Sequence, residues 1–313
     1  ITATPPAYFF QAIAASTSEN IGRFYPDHFD VVVNSGGFDS SCGDFTYIGQ
    51  DFTYDPLQVP SLTITAMNAA TISEATQNYT VSDFMKLLAG DITRVFPLTD
   101  TQTGKDGIAL MAVETTLSAG EALTAVGAGV MTYSFDAADL YRYTKNANAE
   151  IGPFDSSLSV VINDFQDVDG ANASAVPDVV PTAAGSGGDS NRYGRMVMQN
   201  AYGPETDDLA MEAYTEFLAA TSGQYVLNTT DNCTNLLSTI AVDPLGASGT
   251  ENHTAIPVGS GTSDFSYNPL LIGGEAGFLF TAPGAGNDGD IDVSIELLTF
   301  PWLQYDWDGD GTL

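Results

Sequence analysis

The sequence is short of bases. Its 313 residues hold 8 Lys and Arg against 40 Asp and Glu, a formal charge of −32, yet charged residues make up only 15% of the chain. Ordinary soluble domains carry about 25%, so the imbalance comes from missing Lys and Arg. That scarcity excludes nucleic-acid binding through phosphate contacts, which requires a basic patch. It also argues against attraction to an anionic membrane surface. Long apolar runs are missing as well. The stretch from Gly107 to Val113 falls far short of the ~20 residues that span a bilayer, so membrane insertion is not expected. Catalytic signatures are equally scarce. There are two histidines, His28 and His253, and no HExxH zinc motif, Gly-x-Ser-x-Gly elbow or phosphate-binding glycine loop. Asp207 and Asp208 could serve as a glycosidase pair, but such pairs arise by chance among 40 acids. No enzymatic activity is expected, and His28 is read as a structural hydrogen-bonding residue.

The charge is uneven. All eight bases lie at or before Arg195, where 23 acids leave a net of 8 − 23 = −15; residues 196–313 hold 17 acids and no base. Self-repulsion on this scale destabilises a compact chain unless salt or bound cations screen it. Salt adaptation of the surface and specific cation sites are compatible readings. Disorder is not expected, because 43% of residues are hydrophobic and 11% aromatic.

With 31 Gly and 15 Pro, short alternating runs are separated by frequent turns. Phe29–Val33, Phe45–Phe52, Leu62–Met67, Gly107–Leu117, Gly129–Phe135 and Ser157–Ile162 read as strands. So do Arg195–Gln199, Gln224–Leu227, Gly277–Thr281 and Ile291–Leu298. Helical spacing is confined to Thr80–Leu88 and, by composition, Asp207–Ala220; the latter is read as strand because its neighbours are all β. Residues 171–191, with Pro177, Pro181 and a Gly/Ser run, read as a flexible linker. The expected fold is all-β: tandem immunoglobulin-like β-sandwiches over 1–170 and 192–313, joined by the linker at 171–191. Residues 246–264 read as a long surface loop. The chain starts without Met and stops inside an Asp/Gly-rich motif, so it is expected to be part of a longer protein, with the second sandwich incomplete at its C-terminus.

Several strings are unusual: Gly22-Arg23-Phe24-Tyr25-Pro26-Asp27-His28-Phe29, Phe45-Thr46-Tyr47-Ile48-Gly49-Gln50 and Arg192-Tyr193-Gly194-Arg195. Later come Asn200-Ala201-Tyr202-Gly203-Pro204-Glu205, Asp231-Asn232-Cys233-Thr234 and Trp302-Leu303-Gln304-Tyr305-Asp306-Trp307-Asp308-Gly309-Asp310-Gly311. In order and spacing, from about Gly22 to Gly311, they resemble the C-terminal region of the MSHA biogenesis protein MshQ family. These secreted proteins are linked to mannose-sensitive haemagglutinin type IV pili of marine gammaproteobacteria. The resemblance implies an extracellular, surface- or pilus-associated location and supplies no chemistry. In such a compartment Cys42 and Cys233 could form a disulfide; otherwise they are two buried thiols.

Asp306, Asp308 and Asp310, with Gly311 sixth, fit the first half of a calcium loop. Alternate carboxylates converge on a hard cation and the glycine permits the sharp turn. A second acidic cluster, Asp164, Asp167, Asp169 and Asn172, precedes the linker and could hold calcium at the junction. Asp288, Asp290 and Asp292 alternate and would share one strand face. Phe24, Tyr25, Tyr141, Tyr143 and Tyr305 could stack on sugar rings, with core and strand packing the default for most of them. Asn-x-Ser/Thr sequons fall at Asn78, Asn172, Asn228, Asn232 and Asn252. The functional expectation is a structural or adhesive surface protein stiffened by calcium. Its partners would be pilus or other surface proteins and a glycan receptor. The alternatives are a carbohydrate-binding module and a self-assembling β-rich subunit of an extracellular filament or shell.

Overall fold

The computed structural model describes residues 2–3, 16–17, 24–96, 99–103, 109–111, 113–147, 150–184, 188–219, 223–237, 239–244 and 253–313. Of the stretches singled out above, residues 22–23, 107–108, 112, 185–187, 220 and 246–252 lie outside the described residues. The protein is all-β: among the described residues the only helical turns are short 3-10 segments, and no helix is long and apolar enough to cross a membrane.

The first core lies between two sheets. Alternation builds the larger one. In Ser61–Met67 the side chains of Leu62, Ile64 and Ala66 are buried, while Thr63 faces out. This strand pairs antiparallel with His28–Asn34 on one side and Val130–Ser134 on the other. Ala122–Gly127 extends that edge; Asn172–Ala173 and Phe165–Gln166 extend the opposite one, giving six strands. The smaller sheet orders Val113–Thr116, Leu140–Tyr143 and Asp51–Phe52. The core is aromatic. Phe38 stacks on Tyr54 with centroids 5.4 Å apart and meets Phe52 edge-on at 5.2 Å. Two polar pairs are enclosed with it: the hydroxyls of Tyr54 and Tyr141 hydrogen-bond to each other, and Arg94 donates to the buried Asp139 at 2.7 Å.

Among the described residues the second core gathers four small sheets, one of them the pair Ile256–Val258 and Gly261–Ser263. Gly194–Met198, Ala213–Leu218 and Tyr225–Leu227 form one. Leu209–Met211, Phe278–Phe280 and Phe265–Ser266 form another, and Ile240–Pro244 pairs with Ile291–Ile295 in the third. Within the Asp207–Ala220 stretch, Leu209–Met211 and Ala213–Leu218 are therefore strands, as read, separated at Glu212 where the chain passes from one sheet to the next. By contrast, Thr80–Leu88 is not a helix. Only 3-10 turns form, with Val81 extended between them. Leu87 is buried while Val81, Phe84 and Leu88 are at least half exposed, so the supposed apolar face has no core to cover.

The segment read as a flexible linker is stitched in wherever it is described. Ala171, Ala173 and Val179 are buried, and Asn172 pairs in parallel with His28. Val179 bridges Val160, and Thr182 bridges Gly37. Composition misjudged this stretch because isolated small apolar side chains suffice to anchor a backbone whose polar groups find sheet partners.

Candidate functional site

The densest chemistry lies where the two cores meet. Cys42, Phe45 and Tyr47 come from the first fifth of the chain, yet they pack in the second core with Met196, Leu236 and Phe278. The short strand Thr46–Tyr47 runs parallel to Asn191–Arg192. Cys42 and Cys233 are joined by a disulfide across 191 residues, with Cα atoms 5.4 Å apart, inside the usual span.

Beside the disulfide lies Asp231, fully buried. Its Oδ2 accepts from the hydroxyls of Tyr47 at 2.8 Å, Thr215 at 3.0 Å and Thr234 at 2.8 Å. Its Oδ1 accepts from the backbone N–H of Cys233 at 3.2 Å and Thr234 at 3.0 Å. Five donors offset the loss of water around a buried carboxylate. Burial first, and then the Asp231 charge, pushes the Tyr47 phenol up, so its hydroxyl keeps the proton it donates. That hydroxyl accepts from Nδ2 of the buried Asn228 at 2.6 Å. The oxygen of Asn228 accepts in turn from Arg192 at 2.6 Å. The guanidinium of Arg192 lies between the rings of Phe45 and Phe217, 4.4 and 4.6 Å from their centroids, and reaches Asp189 at 2.9 Å. A Cβ at Gly194 would collide with the Tyr47 ring, which accounts for the glycine in Arg192-Tyr193-Gly194-Arg195.

A second tie is made by Lys145. Its Nζ donates to the carbonyls of Gly194 at 2.6 Å, Trp302 at 2.7 Å and Gln304 at 2.6 Å, over the Tyr193 ring. Burial pushes its pKa down, with Glu150 pulling it up. Tyr305 donates to Glu150 at 2.8 Å. Arg195 holds Glu216 at 2.7 Å and lies against Tyr225, Tyr305 and Trp307, with its guanidinium carbon 3.7 Å from the Tyr225 centroid. Arg94, Arg142, Lys145, Arg192 and Arg195 are thus each held by acids, carbonyls or rings of this chain.

Trp307 leads into the acidic loop. Carboxylate oxygens of Asp306, Asp308 and Asp310 lie within 4.8 Å of one another. Asp306 accepts from the N–H groups of Gly309 at 2.7 Å, Asp310 at 3.1 Å and Gly311 at 2.8 Å. Those bonds, Gly311's foremost, hold its carboxyl below the usual range. Gly309 and Gly311 take φ of +75° and +88°, the left-handed turn expected of glycine there. Asp308 accepts from the N–H of Asp310 at 3.2 Å and Asp310 from the N–H and hydroxyl of Thr312, so turn bonds engage all three carboxylates; what sets this loop apart is that the three converge.

The other acidic cluster does not converge. Asp167 is buried, accepting the Tyr79 hydroxyl at 2.7 Å and the N–H of Asp169 and Ala171. Asp164 caps the N–H of Ala175 at 2.9 Å, and Asn172 sits in the edge ladder opposite Gln166. Turn closure, rather than a metal, occupies the Asp167 oxygens. Cys42, Asp231 and Cys233 also lie close together, but their sulfurs are bonded to each other, so they supply no thiolate. His28 lies 3.0 Å from Asp27, and His253 contacts the carbonyl of Ile240 at 3.1 Å. Asp208 accepts the N–H of Ala282. Tyr141 and Tyr143 are buried and unavailable to a sugar. Asn228 is buried too, so its sequon is closed to modification.

Residues 1–193 match the family model described as DUF6701, third domain, and residues 192–313 match DUF6701, fourth domain. The chain belongs to the DUF6701 family. No curated protein and no solved structure matches it. The two DUF6701 matches meet at Arg192, inside the junction network. Cys42 to Tyr47, within the third-domain match, are nevertheless built into the core of the fourth. Sequence reasoning quoted the strings around Tyr47, Arg192 and Asp231 but missed their convergence, because nothing local signals a partner 184 residues away.

Proposed function

We propose that this chain is an extracellular structural segment of a surface- or pilus-associated protein, of the kind to which the MshQ resemblance points. It works without catalysis, as a stiff β-rich spacer that presents a binding face. The observation that carries this reading is the Cys42–Cys233 disulfide set in the junction network. Disulfides persist in oxidising compartments, and this one ties the two cores at the point where a rod would otherwise flex. The internal use of Arg94, Lys145, Arg192 and Arg195 supports the same reading, since it leaves the surface more anionic and suited to salt and calcium.

Protein taken from its native host, with thiols blocked at lysis, should show Cys42 and Cys233 unalkylated until a reductant is added, and an antibody to the folded chain should label intact cells. Free thiols, or labelling only after permeabilisation, would sink the extracellular reading.

Calcium is the proposed stiffener, at Asp306, Asp308 and Asp310. A hundredfold excess of calcium over its dissociation constant should raise the melting temperature by roughly 5 °C. It should also change Trp307 emission, because that ring borders the loop 4.7 Å from the Arg195 guanidinium. Asp308→Asn with Asp310→Asn should remove both responses. An unchanged melt at moderate salt would refute the calcium site.

A further inference from the structure

Among the described residues, the second core is open along one side. A cavity of about 490 Å³ lies between the strands Leu209–Met211 and Ile291–Ile295. Each is the outermost strand of its sheet among the described residues. The N–H of Glu296 donates to the Thr239 carbonyl at 2.7 Å, continuing the ladder to Ile240–Pro244. Alternation in an antiparallel pair then puts the N–H and C=O of residues 294 and 292 on that same side. Those of Ile291, Val293 and Ile295 are left directed outward. Leu209, Met211, Ile291 and Val293 pack against the second core yet are only partly buried, and they line the groove. Five acids also line it: Glu205, Asp207, Asp288, Asp290 and Asp292. No base occurs anywhere from residue 196 onward.

The geometry points to this groove as the docking site for an extended segment of a partner protein, alternating apolar residues with Lys or Arg. The partner would add as a strand to the Ile291–Ile295 edge. Outward backbone groups on an edge strand form a template for such addition, with side-chain pockets supplying specificity. Its apolar residues would cover Leu209, Met211, Ile291 and Val293, and its basic residues would meet the acids. Charge decides the occupant. A second copy of this chain would set acids against acids, and its eight bases form no alternating run. Tyr202, 87% exposed among the lining residues, could stack on a sugar. Half-covered aliphatic walls with outward backbone groups suit a strand instead. The inference is independent of the calcium loop and of the cellular compartment.

The test uses the full 313-residue chain and a fluorescein-labelled peptide of alternating valine and lysine. At physiological salt this peptide should bind about tenfold tighter, or more, than a shuffled peptide of the same composition, because unstructured Coulomb attraction treats both alike. A valine–glutamate peptide should not bind. N-methylation of the alternate amides that would face the groove should abolish binding while leaving charge and side chains in place. Asp288→Asn with Asp290→Asn and Asp292→Asn should weaken binding and flatten its salt dependence. Equal binding of alternating and shuffled peptides, full binding by the N-methylated peptide, or no binding of the alternating peptide, with or without capture of a neutral glycan, would each overturn the proposal.

Discussion

Replacing Cys42 and Cys233 together by alanine is expected to lower the unfolding free energy by about 3–5 kcal/mol. The bond closes a loop of 191 residues, for which the chain-entropy relation gives about 5 kcal/mol; native disulfides commonly deliver 2–5 kcal/mol. The loss here should fall near the top of that range. Cys42 is 3% exposed and sits among Phe45, Tyr47 and Leu236, so removing its sulfur also leaves unfilled volume. Urea titration provides the measurement. The midpoint should fall and the slope should rise, because the unlinked unfolded chain exposes more surface. Reduction of the wild type should lower the midpoint by less than the variant does, because the two thiols still fill that volume. A loss below about 1 kcal/mol would show that the hydrogen-bonded network holds the junction unaided, and that the disulfide is not what makes the segment stiff.

What the sequence revealed and what it concealed divide along one physical line. Features set by neighbours in the chain were legible. Leu62, Ile64 and Ala66 alternate in the sequence and alternate in burial. Asp306, Asp308 and Asp310 are two residues apart, and the turn that Gly309 and Gly311 allow brings them together. Features settled by distant partners were not legible. Asp167 looked like a metal ligand until Tyr79, 88 residues earlier, proved to hold it. Val179 looked like linker until Val160 bridged it. Arg192 is one of eight bases, and only the fold shows why it is there: two rings and the Asn228 amide surround it. The same division explains the groove. Asp288, Asp290 and Asp292 alternate as if on one strand face, but the strand begins only at Ile291; the groove gathers the three, and nothing in their spacing told of the Leu209–Met211 edge opposite.

The second large effect is expected at Asp231. Asp231→Ala should cost about 3–5 kcal/mol, because each buried donor left unsatisfied costs about 1–3 kcal/mol and relaxation re-pairs some of them. It strands three hydroxyls and two backbone N–H groups at once, in a site that is 0% exposed. Asp231→Asn should cost less, about 1–3 kcal/mol. The amide oxygen can still accept from the Cys233 and Thr234 N–H groups, and hydroxyls can turn to accept from the new NH₂. Tyr47→Phe offers an independent check. It removes the hydroxyl that donates to Asp231 and accepts from Asn228, leaving an amide hydrogen unpaired, and should also cost about 1–3 kcal/mol. The two changes share a partner, so their costs should fail to add, with a coupling of about 0.5–3 kcal/mol by a double-mutant cycle. Circular dichroism melts and urea midpoints of the three variants and the Tyr47→Phe/Asp231→Asn double decide the matter. If Asp231→Ala unfolds at the wild-type midpoint, or if the double-variant costs simply add, the junction is not a coupled network. The parallel pairing of Thr46–Tyr47 with Asn191–Arg192, the disulfide, the packing of Phe45 in the second core and the Lys145 tie would then hold the junction.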